Sequence, residues 1–244
     1  MNLVHYAELT PGAFAERLAA APIAYLPLGT LEWHGLHMPY GTDFLVPDVL
    51  FTRVAAQVGG IVLPPLFVST DCHEHGEDGR DYYGMDFCCK EYPRQQLLGS
   101  VYWLPDALFR DLLRAIAKQL ARAGFRIIVG EGHGPSHNVL LELAEEFKQD
   151  FGLDCLVGFD YDLPVEAVIG HAGPGETSLM MAARSELVHM ENLPAAGPIV
   201  GSSPDPRGVS SAAIGERMYA AYAEDLVRRL NASLAALKDD STAK

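Results

Sequence analysis

Positive charge is scarce in this chain. Its 244 residues carry 18 lysines and arginines against 32 aspartates and glutamates, a formal net charge of −14. Phosphate backbones and anionic headgroups repel such a chain, so neither nucleic acid nor a membrane surface is expected as a partner. Cysteine is scarce as well. Cys72, Cys88, Cys89 and Cys155 form no dense pairing pattern. That argues against a disulfide scaffold and for reduced thiols in a cytoplasmic location. No apolar run reaches the roughly 20 residues that a membrane span needs. The stretch Met1 to Glu8 lacks the basic segment followed by an apolar one that marks a secretory leader. There is no internal repeat and no linker. What is present is 49% apolar residues, enough for one α/β domain over residues 1–244 with a sizeable core.

Strand and helix signals alternate. Thr10 is a plausible N-cap and Pro11 a first helical residue, predicting a helix to Ala20. Ile23 to Leu28 reads as a buried strand. Phe44 to Val58 reads as a helix stopped by Gly59-Gly60, with Pro47 tolerated in its first turn. Ile61 to Val68 reads as a strand that Pro64 and Pro65 shorten or place near an edge. Pro105 to Ala123 is the clearest helix, with Leu108, Leu112, Ile116 and Leu120 spaced four apart. A strand from Phe125 to Gly130, a helix from Val139 to Phe151 and a strand from Leu153 to Phe159 follow. Ala167 to Gly170 is a short apolar element, and Glu176 to Glu186 is helical. Residues 190–210 run over the surface. A long helix from Ser211 to Leu237 precedes a frayed polar tail, 238–244. Such alternation implies a mostly parallel sheet covered on both faces.

Thr70 to Gln96 breaks this pattern. It lacks periodicity and is rich in charge, Gly, Tyr, His and Cys, so it is expected to be an irregular excursion, functional or mobile. Cys72-His73-Glu74-His75 offers ligand types, but no second spaced pair completes a structural zinc pattern. A substrate-covering loop is the favoured reading. Cys88-Cys89 is a candidate reactive pair. Tyr82, Tyr83 and Trp103 are candidate pocket aromatics, although packing is the commoner use of such residues.

Three segments at strand ends carry chemistry. The first places Glu32, His34, His37 and Asp43 among glycines after the strand from Ile23. The second is Glu131-Gly132-His133-Gly134-Pro135-Ser136-His137. The third holds His171 and Glu176. A doubly wound sheet gathers such ends into one crevice. Clustered carboxylates and imidazoles are the borderline-to-hard donors that a divalent ion takes.

The run Glu32-Trp33-His34-Gly35-Leu36-His37-Met38-Pro39, followed by Gly41-Thr42-Asp43, resembles the Glu-x-His-Gly-x-His-x-Pro-x-Gly-Thr-Asp signature of the creatininase (creatinine amidohydrolase) family. Trp33 stands where Gln is usual, at a position that is not a ligand. Gly132-His133-Gly134 is similar to the family's Asn-Gly-His motif, with Glu131 in the place of Asn. His171-Ala172-Gly173-Pro174-Gly175-Glu176-Thr177-Ser178 resembles its His-Ala-Gly-x-x-Glu-Thr-Ser segment. The resemblance implies a three-layer α/β/α sandwich and one or two divalent ions per chain, zinc first and manganese or iron as alternatives. It makes Asp43 the bridging ligand, Glu32 and His133 ligands of one ion, and His34 a ligand of the other. The family's further glutamate ligand falls here on Pro135, which has no side-chain donor. Glu176 is the first replacement and His137 the second. His171 matches the residue that protonates the leaving nitrogen.

The function expected is hydrolysis of a small cyclic or linear amide by metal-activated water. The rival reading is a catalytically reduced metal-binding or maturation and assembly protein, which Glu131 and Pro135 favour. A closed homo-oligomer, a hexamer first, is what the resemblance implies for assembly.

Overall fold

A computed structural model describes residues 3–88 and 92–242, with side chains as far as residue 239. Cys89 of the Cys88-Cys89 pair lies outside the described residues. Six-residue β1 (Ile23–Leu28) is buried along its whole length. It sits inside the sheet, which explains why its sequence is apolar without alternation. Its neighbours are β2 (Ile61–Val62) on one side and β5 (Ile127–Gly132) on the other. β6 (Asp154–Val157) closes the order β2-β1-β5-β6, and every pairing is parallel. β2 is only two residues long and lies at an edge, where the Pro64-Pro65 pair limits it.

Helices cover both faces, giving the expected three layers. α1 (Pro11–Ala20), α3 (Asp106–Ala123), α4 (Gly134–Glu142) and α5 (Ala144–Phe151) pack on one side, around Leu26, Leu28, Ile128, Phe109 and Phe147. On the other side are α2 (Thr42–Val58), α6 (Pro174–Arg184) and α7 (Ala212–Thr242), around Tyr25, Phe51, Met180, Tyr219 and Leu226. Thr10 caps α1 by accepting from the Ala13 N–H at 3.3 Å. Among the described residues no helix is long and apolar enough to cross a membrane.

Several elements differ from the sequence expectation. The face of α3 that reaches the core is Phe109, Leu113, Ala117 and Leu120, while Leu108 is exposed. Of the four residues spaced four apart, Leu120 lies on that face, and Leu112 and Ile116 are partly buried on its flank. The helix expected from Val139 starts at Gly134 and breaks at Leu143 into α4 and α5. Residues 167–170 have no regular structure. α7 continues through Thr242, so the polar tail is helical for most of its length. The excursion after Thr70 contains an antiparallel hairpin, β3 (His73–His75) with β4 (Asp81–Tyr83).

Candidate metal centre

The carboxyl ends of β1 and β5 lie side by side, Leu28 opposite Gly132. Two segments leave from there. After β1 the chain makes a buried loop, with Thr30, Glu32, His34 and His37 all inside, and the Glu32 N–H closes it on the Tyr40 carbonyl at 3.1 Å. The loop ends in the first turn of α2, which supplies Asp43. After β5, His133 is aimed by its own N–H, which donates to the Leu28 carbonyl at 2.7 Å. Gly132 permits this turn. Its φ is 145°, and a Cβ there would lie 2.3 Å from the Leu28 carbonyl oxygen. The third contribution is the first turn of α6. Glu176 turns back to accept from the Ala172 N–H at 2.6 Å, and Ala172 is the one non-glycine residue at positive φ, 51°, among the described residues. Backbone strain of this kind persists where surrounding contacts enforce it.

These side chains converge on Asp43. One of its oxygens, Oδ1, is 3.3 Å from His34 Nε2, and that nitrogen is 3.7 Å from Glu176 Oε2. The other, Oδ2, is 3.6 Å from His133 Nδ1, which is 3.3 Å from Glu32 Oε2. The donor atoms of Glu32, Asp43 and His133 all lie within 4.8 Å of one another, and so do those of His34, Asp43 and Glu176. A third such group is Glu32, His34 and His171. The first two triads thus share the Asp43 carboxylate, and each of its oxygens faces a different imidazole. His34 Nδ1 donates to the Glu32 carbonyl at 3.0 Å, because a carbonyl can only accept. Once the ring gives up its second proton, Nε2 is the nitrogen that offers a lone pair toward the acids. Buried Glu32 Oε2, Asp43 Oδ2 and His34 Nε2 have no hydrogen-bond partner among the described residues. Orphaned oxygen and nitrogen donors in this number fit a divalent cation better than they fit a hydrogen-bonded core.

The electrostatics agree. Burial opposes charge on His34, but Asp43, Glu176 and Glu32 outweigh it and raise the imidazole to about 10. His133 is raised to about 9 in the same way, with burial overcome by Glu32, Asp43 and Asp71. Glu32 is driven down to about 2, because His171, His133 and His34 outweigh its burial. The acids thus hold cationic partners, here imidazolium groups.

His171 sits at the edge of the cluster, partly exposed, stacked on His34 with ring centroids 4.2 Å apart. Its Nε2 donates to the Trp33 carbonyl at 2.6 Å, and its Nδ1 is 3.7 Å from Glu32 Oε2. A cavity of about 270 Å³ opens over Glu32, Asp43, His133, His171 and Glu176, with Asp71 and Tyr161 on its wall.

Other sequence candidates lie elsewhere. His37 is bonded to Thr177 Oγ1 at 3.0 Å, and burial, with His34 nearby, lowers it to about 4. His137 faces Glu131 and the Tyr161 ring rather than the cluster. Tyr83 and Trp103 stack on each other, and Trp103 packs on His133, so these aromatics reach the cluster through His133. The sequence reading missed Asp71. Its buried Oδ2 lies 3.6 Å from His133 Nε2, and burial, then Glu32 and Asp43, raise its carboxyl to about 7 against the pull of His133. The available signal was its position as the carboxylate nearest the exit of β2, a third strand end.

A model of the creatininase family, described as creatinine amidohydrolase, matches residues 7–230. The chain belongs to the creatininase family. The creatinine amidohydrolase of Pseudomonas putida is 28% identical over 211 residues, 78% of this chain and 75% of that protein. A mutant creatininase of Zn-Zn type superposes with a TM-score of 0.68 at 24% identity, covering 94% of this chain and 97% of that one. A creatininase described with Mn gives a TM-score of 0.63 at 26% identity, over 94% and 98%. The α/β/α layering of this creatininase-family chain is the fold those structures share.

Proposed function

We propose that this creatininase-family protein is a metal-dependent hydrolase of a small cyclic or linear amide. The observation that carries the reading is the pair of donor triads joined at Asp43 beneath one small cavity. Glu32, Asp43 and His133 would hold one divalent ion, and His34, Asp43 and Glu176 the other. All donors are nitrogen or carboxylate oxygen, a set suited to zinc, with manganese or iron as alternatives. Such ions, when bound, polarise an amide carbonyl and acidify water toward neutral pH.

The chain's own residues supply the rest. Trp33 fixes the His171 ring by accepting from Nε2, so the nitrogen turned toward the cluster is Nδ1. When the imidazole is protonated, the Nδ1–H is the proton presented toward Glu32 and the site. An amide nitrogen leaves poorly until protonated, and a general acid at this place meets that need. Glu131 anchors the wall. Its carboxylate accepts from the Phe159 N–H at 2.7 Å and from the Tyr161 hydroxyl at 2.8 Å, pinning the tyrosine that lines the cavity.

Pro135 favours the rival reading of a non-catalytic metal-binding protein. Glu176 weakens that reading, because it brings a carboxylate to His34 and Asp43 from another helix. The test is metal content by elemental analysis together with a screen of small amides. Metal with amide turnover supports the proposal. Metal with no hydrolysis of any amide supports the rival reading. We also propose a cytoplasmic location and a closed homo-oligomer, hexameric as the family resemblance implies. Light scattering that shows only monomer at micromolar concentration would overturn that assembly.

A further inference from the structure

We propose that Asp71 is a positioning residue for His133, the outer carboxylate of a carboxylate–histidine–metal arrangement that the excursion after β2 delivers. The inference rests on the metal reading above. Asp71 is tied down by one oxygen, Oδ1, which accepts from the Cys72 N–H at 2.6 Å. The other, Oδ2, is buried without a hydrogen-bond partner and lies 3.6 Å from His133 Nε2, itself buried and unpartnered. The opposite ring nitrogen, Nδ1, faces Glu32 and Asp43. An imidazole that gives its Nδ1 lone pair to a cation carries its proton on Nε2. That N–H would then point at Asp71. A shift of about 0.7 Å brings the pair to ordinary hydrogen-bond distance.

The excursion is built to hold this pair. The Gly84 N–H donates to the Cys72 carbonyl at 3.0 Å, which draws the end of the hairpin over Asp71. Gly84 has a φ of 47°, and a Cβ there would lie 2.1 Å from Asp71 Oδ2 and 2.8 Å from Glu32 Oε1. Only a bare backbone fits above the two carboxylates. From the same hairpin, Tyr83 stacks at 5.9 Å on Trp103, which lies at 5.8 Å against the His133 ring. The ligand therefore has a carboxylate at its far nitrogen and an aromatic wall on its face, both depending on the excursion. His34 differs, since its outer partner is the neutral Glu32 carbonyl. A carboxylate partner raises ligand basicity more than a carbonyl does, so the ion on His133 should be the one that responds to Asp71.

The test is metal affinity of the full chain, measured with zinc against a chromophoric chelator and with cobalt by its visible spectrum. Asp71→Ala should weaken one ion by about 10–100-fold, the range for outer-shell partners, and leave the other unchanged. Asp71→Asn keeps an acceptor without the charge and should fall between. The cobalt bands should shift in both variants, with circular dichroism unchanged. In a His133→Ala background, Asp71→Ala should add nothing. Unchanged affinity in folded Asp71→Asn and Asp71→Ala overturns the inference, and so does an equal loss in the His133→Ala background. If Asp71→Ala does not fold, folded Asp71→Asn decides. An unmodified chain that takes up no ion overturns the metal reading itself, a result distinct from either of these.

Discussion

Asp43→Asn is the sharpest perturbation of the proposed site. The substitution keeps shape and volume at a side chain that is 5% exposed, so packing around α2 should survive. What it removes is the charge that both triads share. An amide offers one neutral oxygen in place of two charged ones, so at most one ion keeps a protein oxygen here and the bridging charge vanishes. Losing an outer-shell partner costs about 10–100-fold in metal affinity. Losing a direct ligand should cost more, above about 100-fold for the ion left without one, which is roughly 2.7 kcal/mol or more, and the ion left with a neutral oxygen should weaken too. The assay is elemental analysis after exhaustive dialysis, followed by chelator competition. A second readout needs no metal. Burial opposes charge on His34 and Asp43 supplies the first of the forces that overcome it, so His34 should titrate lower in the variant than in the wild type. The imidazole resonances in NMR spectra report that directly. Should Asp43→Asn keep one ion at full affinity, the two triads do not share this carboxylate and the bridging argument fails.

Metal uptake at neutral pH should release protons, because His34 and His133, raised to about 10 and 9, must give them up to become ligands. Calorimetry in buffers of different ionisation enthalpy counts them, and no buffer dependence would contradict the assignment. For the metal-free protein the sign follows from the same shifts. Raised imidazoles contribute stability fully below about 6.5 and lose it as pH rises through 9 to 10. Glu32, lowered to about 2, contributes above about 4.5 and loses it as pH falls toward 2. Thermal melts should therefore decline on the alkaline side near pH 9. His171→Ala should keep metal and lose turnover by about 10²–10⁴-fold, less for amides with good leaving groups, while Glu176→Gln should lose metal affinity first. Equal metal loss in both would end that division of roles. Gly84→Ala should weaken metal binding in the same direction as Asp71→Ala, since its Cβ has no room beside Asp71 Oδ2; wild-type affinity there would mean the hairpin does not press on the carboxylate.

Much of this was legible in the sequence. Ile23 to Leu28 is continuously apolar because β1 is covered on both faces, and the helix signals at Thr10-Pro11 and Gly59 lie where chain ends need caps or turns. The residues that converge on Asp43, which we propose as donors, could be read as strand-end and helix-start residues, since a parallel sheet sends all such ends to one side. What could not be read depends on contacts between distant segments. The one signal for Asp71 is its place after β2, and that is weak, because its significance comes from a hairpin folding over it and from His133, 62 positions away in the chain. Three of the four expected α3 residues fall one position short of the buried stripe, because apolar spacing gives a period and not the face that the sheet meets. Leu108 and Phe109 satisfy the same period, and packing chose Phe109. The break at Leu143 has no glycine or proline to mark it.

The two departures from the family pattern around His133 have one physical account. Glu131 is completely buried, and a buried carboxylate is tolerable only when its lone pairs are met. They are met by the Phe159 N–H, the Tyr161 hydroxyl and the Gly132 N–H at 3.1 Å, all outside the donor triads. Its charge therefore serves the cavity wall. Pro135 falls in the first turn of α4, where a missing N–H costs nothing, but it brings no donor. The carboxylate that the second triad needs comes instead from Glu176, in the first turn of α6, where the positive end of the helix dipole favours an anion. This relocation has a consequence. In the proposed ligand set the second ion depends on the segment from His171 to Glu176, which also carries the strained Ala172 and the ring that Trp33 holds by its carbonyl. The proposed acid and the proposed ligand then lie five positions apart on one backbone segment, so a substitution that moves Glu176 should also reposition the His171 ring.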